Sequence, residues 1–333
     1  MKKSICRLAL LLLILFIIPQ AAASELLIPV GEVIALELQN DQVTVAALDG
    51  DSELQVGDRL RCIDGHSIRS VEDVRAALAA SDGTVEVELV RGKQVLQLKI
   101  DPRITSDGPQ LGVYLRQGVT GIGTVTYFDP DTGNFGALGH GVSDCAGKLV
   151  AMERGHAYRA RVLSVRRGKT GAPGQLIGTL SGADPMGILW ENTSCGIFGT
   201  CDGFSGQPIP TAEPSEVRTG SAVILSTVNG SSPQEYSVEI LKIYPNATGA
   251  GRNLLLKVTD PQLLSTTGGI VQGMSGSPII QDGKLIGAVT HVLVNDPTTG
   301  YGIFIENMLD AASKRFEASM SAGCSVSLPD QRP

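Results

Sequence analysis

A serine in a glycine-rich turn is the residue in this sequence best suited to nucleophilic chemistry. Ser275 lies in Gly273-Met274-Ser275-Gly276-Ser277-Pro278. Small neighbours let the main chain approach a substrate closely, and the N–H of such a serine and a nearby N–H can point at the carbonyl oxygen under attack. Gly/Ser turns are common in β proteins, and Ser205 lies in another one, Phe204-Ser205-Gly206-Gln207-Pro208. We favour Ser275 as the candidate nucleophile.

A serine hydroxyl needs a general base at neutral pH, and the sequence offers four histidines. Glycines flank His140 on both sides, which leaves its ring open to a cleft. His291 follows the apolar run after the candidate nucleophile and is the alternative base. His66 belongs to an N-terminal module and His156 to a charged stretch, so we expect neither to act on Ser275.

A third group must orient the histidine and stabilise its cation. Asp260 follows an apolar strand in Lys257-Val258-Thr259-Asp260-Pro261 and leads modestly. An aspartate before proline is also common in solvated turns, and Asp144, Asp202 and Asp296 stay open as alternatives.

The composition excludes several classes of function. A formal net charge of -7 and the lack of a Lys/Arg stripe argue against a nucleic-acid partner. The four histidines are far apart and no HExxH or CxxC motif occurs, so we expect neither a metal site nor a cofactor. Cys195 and Cys201 are close enough to form a disulfide, although small buried residues are an equal explanation.

Residues 1–23 read as a targeting segment. Lys2, Lys3 and Arg7 precede an apolar run, Leu8 to Ile18, and the small residues Ala21-Ala22-Ala23 follow. The run is shorter than the roughly 20 residues of a membrane span, which favours a cleaved signal peptide over an anchor. We therefore predict export, with membrane contact only through this segment.

The rest of the chain divides into four parts by pattern. We predict a small module at 26–102, a polar linker at 103–110, a larger domain at 111–320 and a tail at 321–333. From Leu111 onward, short β segments broken by Gly, Pro and Asn predict an all-β barrel or sandwich, closed by a helix at Glu306 to Met320.

The module at 26–102 resembles a PDZ domain. Val56-Gly57-Asp58-Arg59-Leu60 followed by Ile63-Asp64-Gly65 carries the resemblance, and Ser70 to Asp73 forms a capping box that opens a helix through Leu78. PDZ domains add an extended peptide as a strand beside a helix. We expect the groove between a strand and the helix, lined by Val33, Ile34, Ala35, Leu36, Val71, Val74 and Leu78.

The larger domain resembles serine peptidases. The Ser275 hexapeptide is similar to the Gly-Asp-Ser-Gly-Gly-Pro of trypsin-like enzymes, which implies an oxyanion hole built from the N–H groups of Gly273 and Ser275. Gly136-Ala137-Leu138-Gly139-His140-Gly141, Val258-Thr259-Asp260 and Thr267 through Ile280 resemble the SpoIVB peptidases of endospore-forming bacteria. That resemblance implies a His140, Asp260, Ser275 triad.

The implied fold is mainly β: a small α/β PDZ-like domain, then a chymotrypsin-like all-β double barrel with a C-terminal helix. The implied function is signalling by limited proteolysis, in the space between the forespore and mother-cell membranes. The substrate would be a membrane-associated regulator of an intramembrane protease, and the PDZ domain would dock this partner or a second copy. Autoproteolysis is also implied, although the stretch between leader and PDZ-like module is short.

Two other functions stay open. One is a non-enzymatic PDZ-containing scaffold with an inactive protease domain. The other is a quality-control protease of the HtrA type, which the domain order opposes because HtrA proteases place the protease before the PDZ domain.

Overall fold

The computed structural model describes residues 25–143, 147–152, 154–247 and 251–313. The described residues are mainly β and contain three helices: α1 (Val71–Ala79), α2 (Pro261–Thr267) and α3, which the structure describes over 305–313. The predicted leader and tail, and residues 314–320 of the predicted C-terminal helix, lie outside the described residues.

The first fifteen strands lie in the PDZ-like module, in the first barrel or in short pairings attached to them. They are β1 (Leu26–Pro29), β2 (Val33–Leu48), β3 (Arg59–Ile63), β4 (His66–Ser67), β5 (Val85–Arg91), β6 (Gln94–Ile100), β7 (Arg103–Thr105), β8 (Gly108–Gln110), β9 (Val113–Phe128), β10 (Asn134–Ala137), β11 (Arg154–Arg166), β12 (Gln175–Leu180), β13 (Gly187–Thr193), β14 (Gly196–Cys201) and β15 (Ile209–Pro210). The remaining strands form the second barrel: β16 (Gly220–Ser226), β17 (Gln234–Ile243), β18 (Leu254–Val258), β19 (Pro278–Gln281), β20 (Lys284–Leu293) and β21 (Asp296–Phe304).

Two six-stranded barrels make up the larger domain. In the first, the strands pair in the order β9, β10, β14, β13, β11 and β2, and a β2–β9 pairing closes the ring. The second is a closed barrel of β16, β17, β18, β21, β20 and β19. Alternating side chains point inward, as period-two strands require, so Leu36, Val125 and Phe135 fill the first core and Ile240 and Leu256 the second. The fold is therefore a chymotrypsin-like double barrel.

The PDZ domain shares two long strands with the first barrel. Val43–Leu48 of β2 pairs with Val113–Gln117 of β9, and β3, β5 and β6 extend this sheet. The predicted capping box is confirmed, because Ser70 and Asp73 cap the N-terminus of α1 reciprocally. The segments Val33–Leu38 and Val43–Leu48 form one strand, β2, with an irregularity between them.

This sharing changes the predicted domain boundaries. Residues 26–39 were assigned to the PDZ-like module, but β1 and the first half of β2 pair with β9 and β11 of the first barrel. The predicted linker at 103–110 folds as a hairpin of β7 and β8. Cys195 and Cys201 are both free thiols. Within the described ranges, no helix is both long and apolar enough to cross a membrane.

Candidate active site

The turn that carries Ser275 requires glycine on both sides of the serine. Gly273 and Gly276 have φ values of 99° and 96°, which side-chain-bearing residues rarely adopt. A Cβ on Gly276 would lie 2.0 Å from the carbonyl oxygen of Thr124 in the first barrel. Only glycine permits this close approach, so the sequence pattern reflects packing between the barrels as well as access for a substrate.

Two main-chain donors at this turn are unused. Within the part of the chain that the structure describes, no hydrogen bond takes up the N–H of Gly273 or that of Ser275. Both belong to the predicted oxyanion hole. The Ser275 hydroxyl itself donates to the carbonyl oxygen of Thr290 at 2.9 Å.

A sharp reversal after β10 brings His140 to the cleft between the barrels. Leu138 and Gly139 have φ values of 69° and 68°, and two successive left-handed residues turn the chain out of the strand. The Nδ1 atom of His140 lies 2.9 Å from the carbonyl oxygen of Gly141. A carbonyl accepts, so Nδ1 carries the proton and Nε2 keeps its lone pair, as a general base requires.

His291 lies beside His140 rather than apart from it. The two ring centroids are 5.1 Å apart and the ring planes are inclined by 38°. The Nδ1 atom of His291 is buried and has no hydrogen-bond partner among the described residues. Burial lowers the pKa of His140. Burial, and then the proximity of the His140 ring and of the Arg252 cation, lower the pKa of His291 to about 4. Both rings are therefore neutral at pH 7.

The structure does not bring Asp260 to His140, which corrects the predicted triad. Asp260 caps α2: one carboxylate oxygen accepts from the N–H of Leu263 at 2.9 Å and the other from that of Ser237 at 3.4 Å. His291 and Leu255 both pair with Tyr301, and Asp260 follows Leu255 by five residues. Five residues at about 3.3 Å each span roughly 16 Å, so Asp260 lies beyond the end of β18 and away from the level of the histidine pair. A strong N-cap and Pro261 at the first helical position explain this aspartate locally.

Thr124 on β9 is a site residue that the sequence did not reveal. Its N–H donates to the carbonyl of Ser275 at 2.9 Å, and its hydroxyl donates to the carbonyl of Gly273 at 2.8 Å. Its own carbonyl accepts from Leu138, two residues before His140. One fully buried residue thus connects the nucleophile turn of the second barrel to the base of the first. Nothing in a threonine within a strand signals such a role.

Asn192 on β13 was also missed, and it holds the segment that follows His140. Its side-chain oxygen accepts from the N–H of Val142, and its side-chain nitrogen donates to the carbonyls of Val142 and Val150, all at 2.9 Å. The side chain is buried. Three satisfied bonds on one buried amide fix the exit of the chain from the site.

Ser275, His140 and His291 line one cavity of about 460 Å³. A second cavity of about 1020 Å³ adjoins it and shares Gly121, Gln272 and Gly273 with it. Together they form a cleft that runs past the nucleophile. A serine, a neutral histidine and two free N–H groups at one end of a cleft are the groups that acyl transfer needs.

The other candidates do not line the nucleophile cavity. Ser205 follows Gly203 and so shares the local Gly-x-Ser-Gly-x-Pro pattern, but it is exposed outside that cavity. His66 lies in the PDZ domain, and His156 pairs with Glu37 on β2. The carboxylate of Asp296 accepts from Thr298 and Thr299 in its own turn, and Asp144 lies outside the described residues. No cluster of three or more potential metal ligands occurs in the described segments.

The strand side of the predicted PDZ groove is corrected. Val33, Ile34, Ala35 and Leu36 lie in the first barrel, where β2 pairs with β9 on one edge and, from Ile34, with β11 on the other, so they offer no free edge. The helix side, Val71, Val74 and Leu78, does lie on α1 of the PDZ domain. Three strands contact α1, namely β3, β8 and β9. Of these, the Val113–Gln117 segment of β9 pairs with β2 on one edge and, among the described strands, with nothing on the other.

Comparisons with known proteins match two parts of the chain, the barrels and the PDZ domain. A family model described as SpoIVB peptidase S55 matches residues 108–309, and a PDZ domain model matches residues 51–91. A PDZ domain of an SdrC-like protein from Listeria monocytogenes is 25% identical, covering 22% of this chain and 87% of that chain, with a TM-score of 0.21. The Rv3671c protease of M. tuberculosis, in its active form, is 16% identical over 59% of this chain and 74% of its own, with a TM-score of 0.35. The HtrA-type protease AlgW with a decapeptide is 11% identical over 86% of this chain and 64% of its own, with a TM-score of 0.38.

One curated relative, from Agrobacterium fabrum, has a name that describes a zinc metalloprotease. It is 35% identical over 101 residues, 30% of this chain and 26% of that protein. The chain thus spans about a quarter of the length of this relative. The family model covers well over half of the chain. The chain therefore belongs to the SpoIVB peptidase S55 family and carries a PDZ domain.

Proposed function

We propose that the chain is an exported endopeptidase that cuts a membrane-associated regulatory protein during sporulation, with Ser275 as nucleophile and His140 as general base. One observation carries the catalytic part: Ser275 and His140 come from different barrels, yet line one cavity beside two unused N–H groups. The sporulation substrate and the location between two membranes rest on the resemblance to SpoIVB peptidases.

The proposed reaction is acyl transfer in two steps. The Ser275 hydroxyl turns from the Thr290 carbonyl toward Nε2 of His140, gives up its proton and attacks the peptide carbonyl carbon. The oxygen becomes an oxyanion that accepts from the N–H groups of Gly273 and Ser275. His140 then protonates the leaving amine. In the second step, water attacks the acyl-enzyme, His140 takes its proton, and Ser275 leaves with that proton.

The proposed reaction does not use Asp260 to orient His140. Its oxygens are engaged by main-chain N–H groups, and the carbonyl of Gly141 occupies the position next to Nδ1 of His140. A carbonyl orients the ring and selects its tautomer, as an acceptor at this position must.

The PDZ domain is proposed to dock the protein substrate or a second copy of the enzyme. The Val113–Gln117 segment belongs to a strand that contacts α1 and has one edge unpaired among the described strands, and strand addition needs such an edge. Protection of these amides from hydrogen exchange on adding the partner's peptide would support docking there. Protection confined to Val33–Leu36 would contradict it.

The test of the catalytic proposal is covalent labelling of the full chain with a fluorophosphonate. We expect one adduct, on Ser275, and loss of the adduct in both Ser275→Ala and His140→Gln, with Ser205→Ala as the matched control that still labels. Intact mass and the N-terminus of the secreted protein, from wild type and Ser275→Ala, report leader removal and self-cleavage together. An adduct elsewhere, or undiminished labelling of Ser275→Ala, contradicts the assignment.

One feature favours the non-enzymatic scaffold as the second candidate. Ser275 and His140 each bond a main-chain carbonyl and not one another. The same labelling decides, because a scaffold would leave Ser275 unmodified when a trypsin-like control enzyme is fully labelled.

A further inference from the structure

The walls of the nucleophile cavity point to the chemical class of the residue that the enzyme cleaves after. Ile270 and Val271 precede the nucleophile turn, and Val292 and Val294 follow Thr290 on β20 and just beyond it. Leu36 and Leu138 of the first barrel face them across the cavity. Aliphatic side chains of both barrels therefore surround the space next to Ser275.

Among the described residues, no Asp, Glu, Lys or Arg side chain lines this cavity. The titratable side chains in its wall are His140 and His291, whose pKa values are both lowered, and the remaining polar side chains are neutral. The carboxylate of Glu37 lies in the adjoining cavity instead, where it accepts from the hydroxyl of Tyr158 at 2.8 Å. A lysine, arginine or aspartate entering the aliphatic cavity would lose its hydration without gaining a partner.

The position of the oxyanion donors identifies the side chain that enters. The residue attacked by Ser275 has its carbonyl oxygen at the N–H groups of Gly273 and Ser275. Its side chain therefore starts beside the cavity that these two residues border. A volume of about 460 Å³ lies in the range of sites that enclose a small ligand, so it admits a whole aliphatic or aromatic side chain.

We propose that this cavity is the specificity pocket of the enzyme and that it selects a large apolar residue, of the leucine, methionine or phenylalanine class, on the acyl side of the scissile bond. This inference rests on the proposed function of Ser275. Burying such a side chain in an aliphatic pocket favours it over a charged one by about 100-fold or more in kcat/KM. Val292, half-buried in the wall, is the specificity-determining residue that can be altered without touching Ser275 or His140.

The experiment compares peptidyl diphenyl phosphonates that differ only at the acyl-side residue: leucine, phenylalanine, lysine and aspartate. They modify the full-length enzyme in a single turnover, so they report recognition even where peptide turnover is slow. We expect the leucine and phenylalanine probes to react at least 30-fold faster than the charged ones. Val292→Asp should reverse the leucine-to-lysine ratio, whereas Val223→Asp, at a half-buried valine outside the cavity, should leave it unchanged.

Each outcome bears on a separate claim. A faster lysine or aspartate probe with wild type overturns the inference, and so does an unchanged ratio in a folded Val292→Asp. Should Val292→Asp fail to fold, Val294→Asp, at an exposed wall position, is the second variant for the same comparison. If the simple fluorophosphonate does not modify Ser275, the proposed function itself fails. Labelling without side-chain preference refutes only the pocket.

Discussion

Replacing Thr124 by valine should slow the reaction of Ser275 far more than a substitution elsewhere that lowers the stability by the same amount. Thr124→Val exchanges a hydroxyl for a methyl group of similar size and removes the 2.8 Å bond to the carbonyl of Gly273. That carbonyl is left without its partner in a buried turn, which costs about 1–3 kcal/mol. If half or more of this loss is expressed in the transition state, labelling slows by roughly 3- to 100-fold, at tenfold per 1.4 kcal/mol.

The matched control is Thr227→Val. The Thr227 hydroxyl donates to the carbonyl of Gly31 at 2.9 Å, and it is as buried as Thr124 but outside the nucleophile cavity. Both variants should lower the melting temperature by roughly 2–10 °C. The assay is the pseudo-first-order rate of fluorophosphonate labelling, measured beside thermal unfolding. Equal labelling rates for the two variants at equal stability would refute the idea that Thr124 positions the nucleophile turn.

Three further outcomes are expected. Asn192→Leu removes three hydrogen bonds beside His140 and should lower both the stability and the labelling rate. Gln281→Met also removes three hydrogen bonds and should lower only the stability. Equal losses of labelling rate in the two variants would contradict this expectation. Asp260→Asn keeps a good N-cap, and its labelling rate should stay within about tenfold of the wild-type rate. A rate loss of roughly 10⁴-fold, as replacement of a triad aspartate gives, would instead identify Asp260 as the acid that orients His140. Because the pKa values of His140 and His291 are lowered, the labelling rate should hold below pH 6.5 and fall only as His140 gains a proton. The free energy of unfolding should start to fall earlier, as the pH drops below about 6.5, because the histidines of the unfolded chain bind protons before the two buried rings do. A labelling rate already halved at pH 7 would contradict the assignment.

Local motifs predicted the parts of the site that a few consecutive residues determine. The Ser275 turn was predictable because its glycines must adopt positive φ and pack against the other barrel. The capping box at Ser70 was predictable because both of its bonds lie within four residues. His140 was predictable because neighbouring glycines leave a histidine open to a cleft.

Residues that act across the barrel interface were not predictable in this way. Thr124 bonds to residues about 150 positions away, and Asn192 to residues 42 and 50 positions away. A threonine in a strand or an asparagine near a turn has many local explanations, so neither stands out. Asp260 shows the opposite error: a helix cap before a proline has the same local pattern as a catalytic aspartate at a barrel rim.

The PDZ groove was misplaced for a topological reason. The predicted boundaries give each domain its own separate strands. In the structure, β2 and β9 both run from the PDZ sheet into the first barrel. The first half of β2 was therefore assigned to the groove although the barrel uses both of its edges. The free edge belongs to β9, whose start follows the segment predicted to be a linker.

Because β2 and β9 belong to both the PDZ domain and the first barrel, the two domains are connected by continuous strands. The free edge at Val113–Gln117 lies on the same strand as Thr124, which bonds to the nucleophile turn. Thr124 follows Gln117 by seven residues, or about 23 Å. A flexible linker would leave the PDZ domain free to turn relative to the barrels. A continuous strand that is hydrogen-bonded to β2 for most of its length instead fixes the orientation of the PDZ edge relative to Ser275. The geometry between a docked peptide and the scissile bond is thus set by the fold of the enzyme.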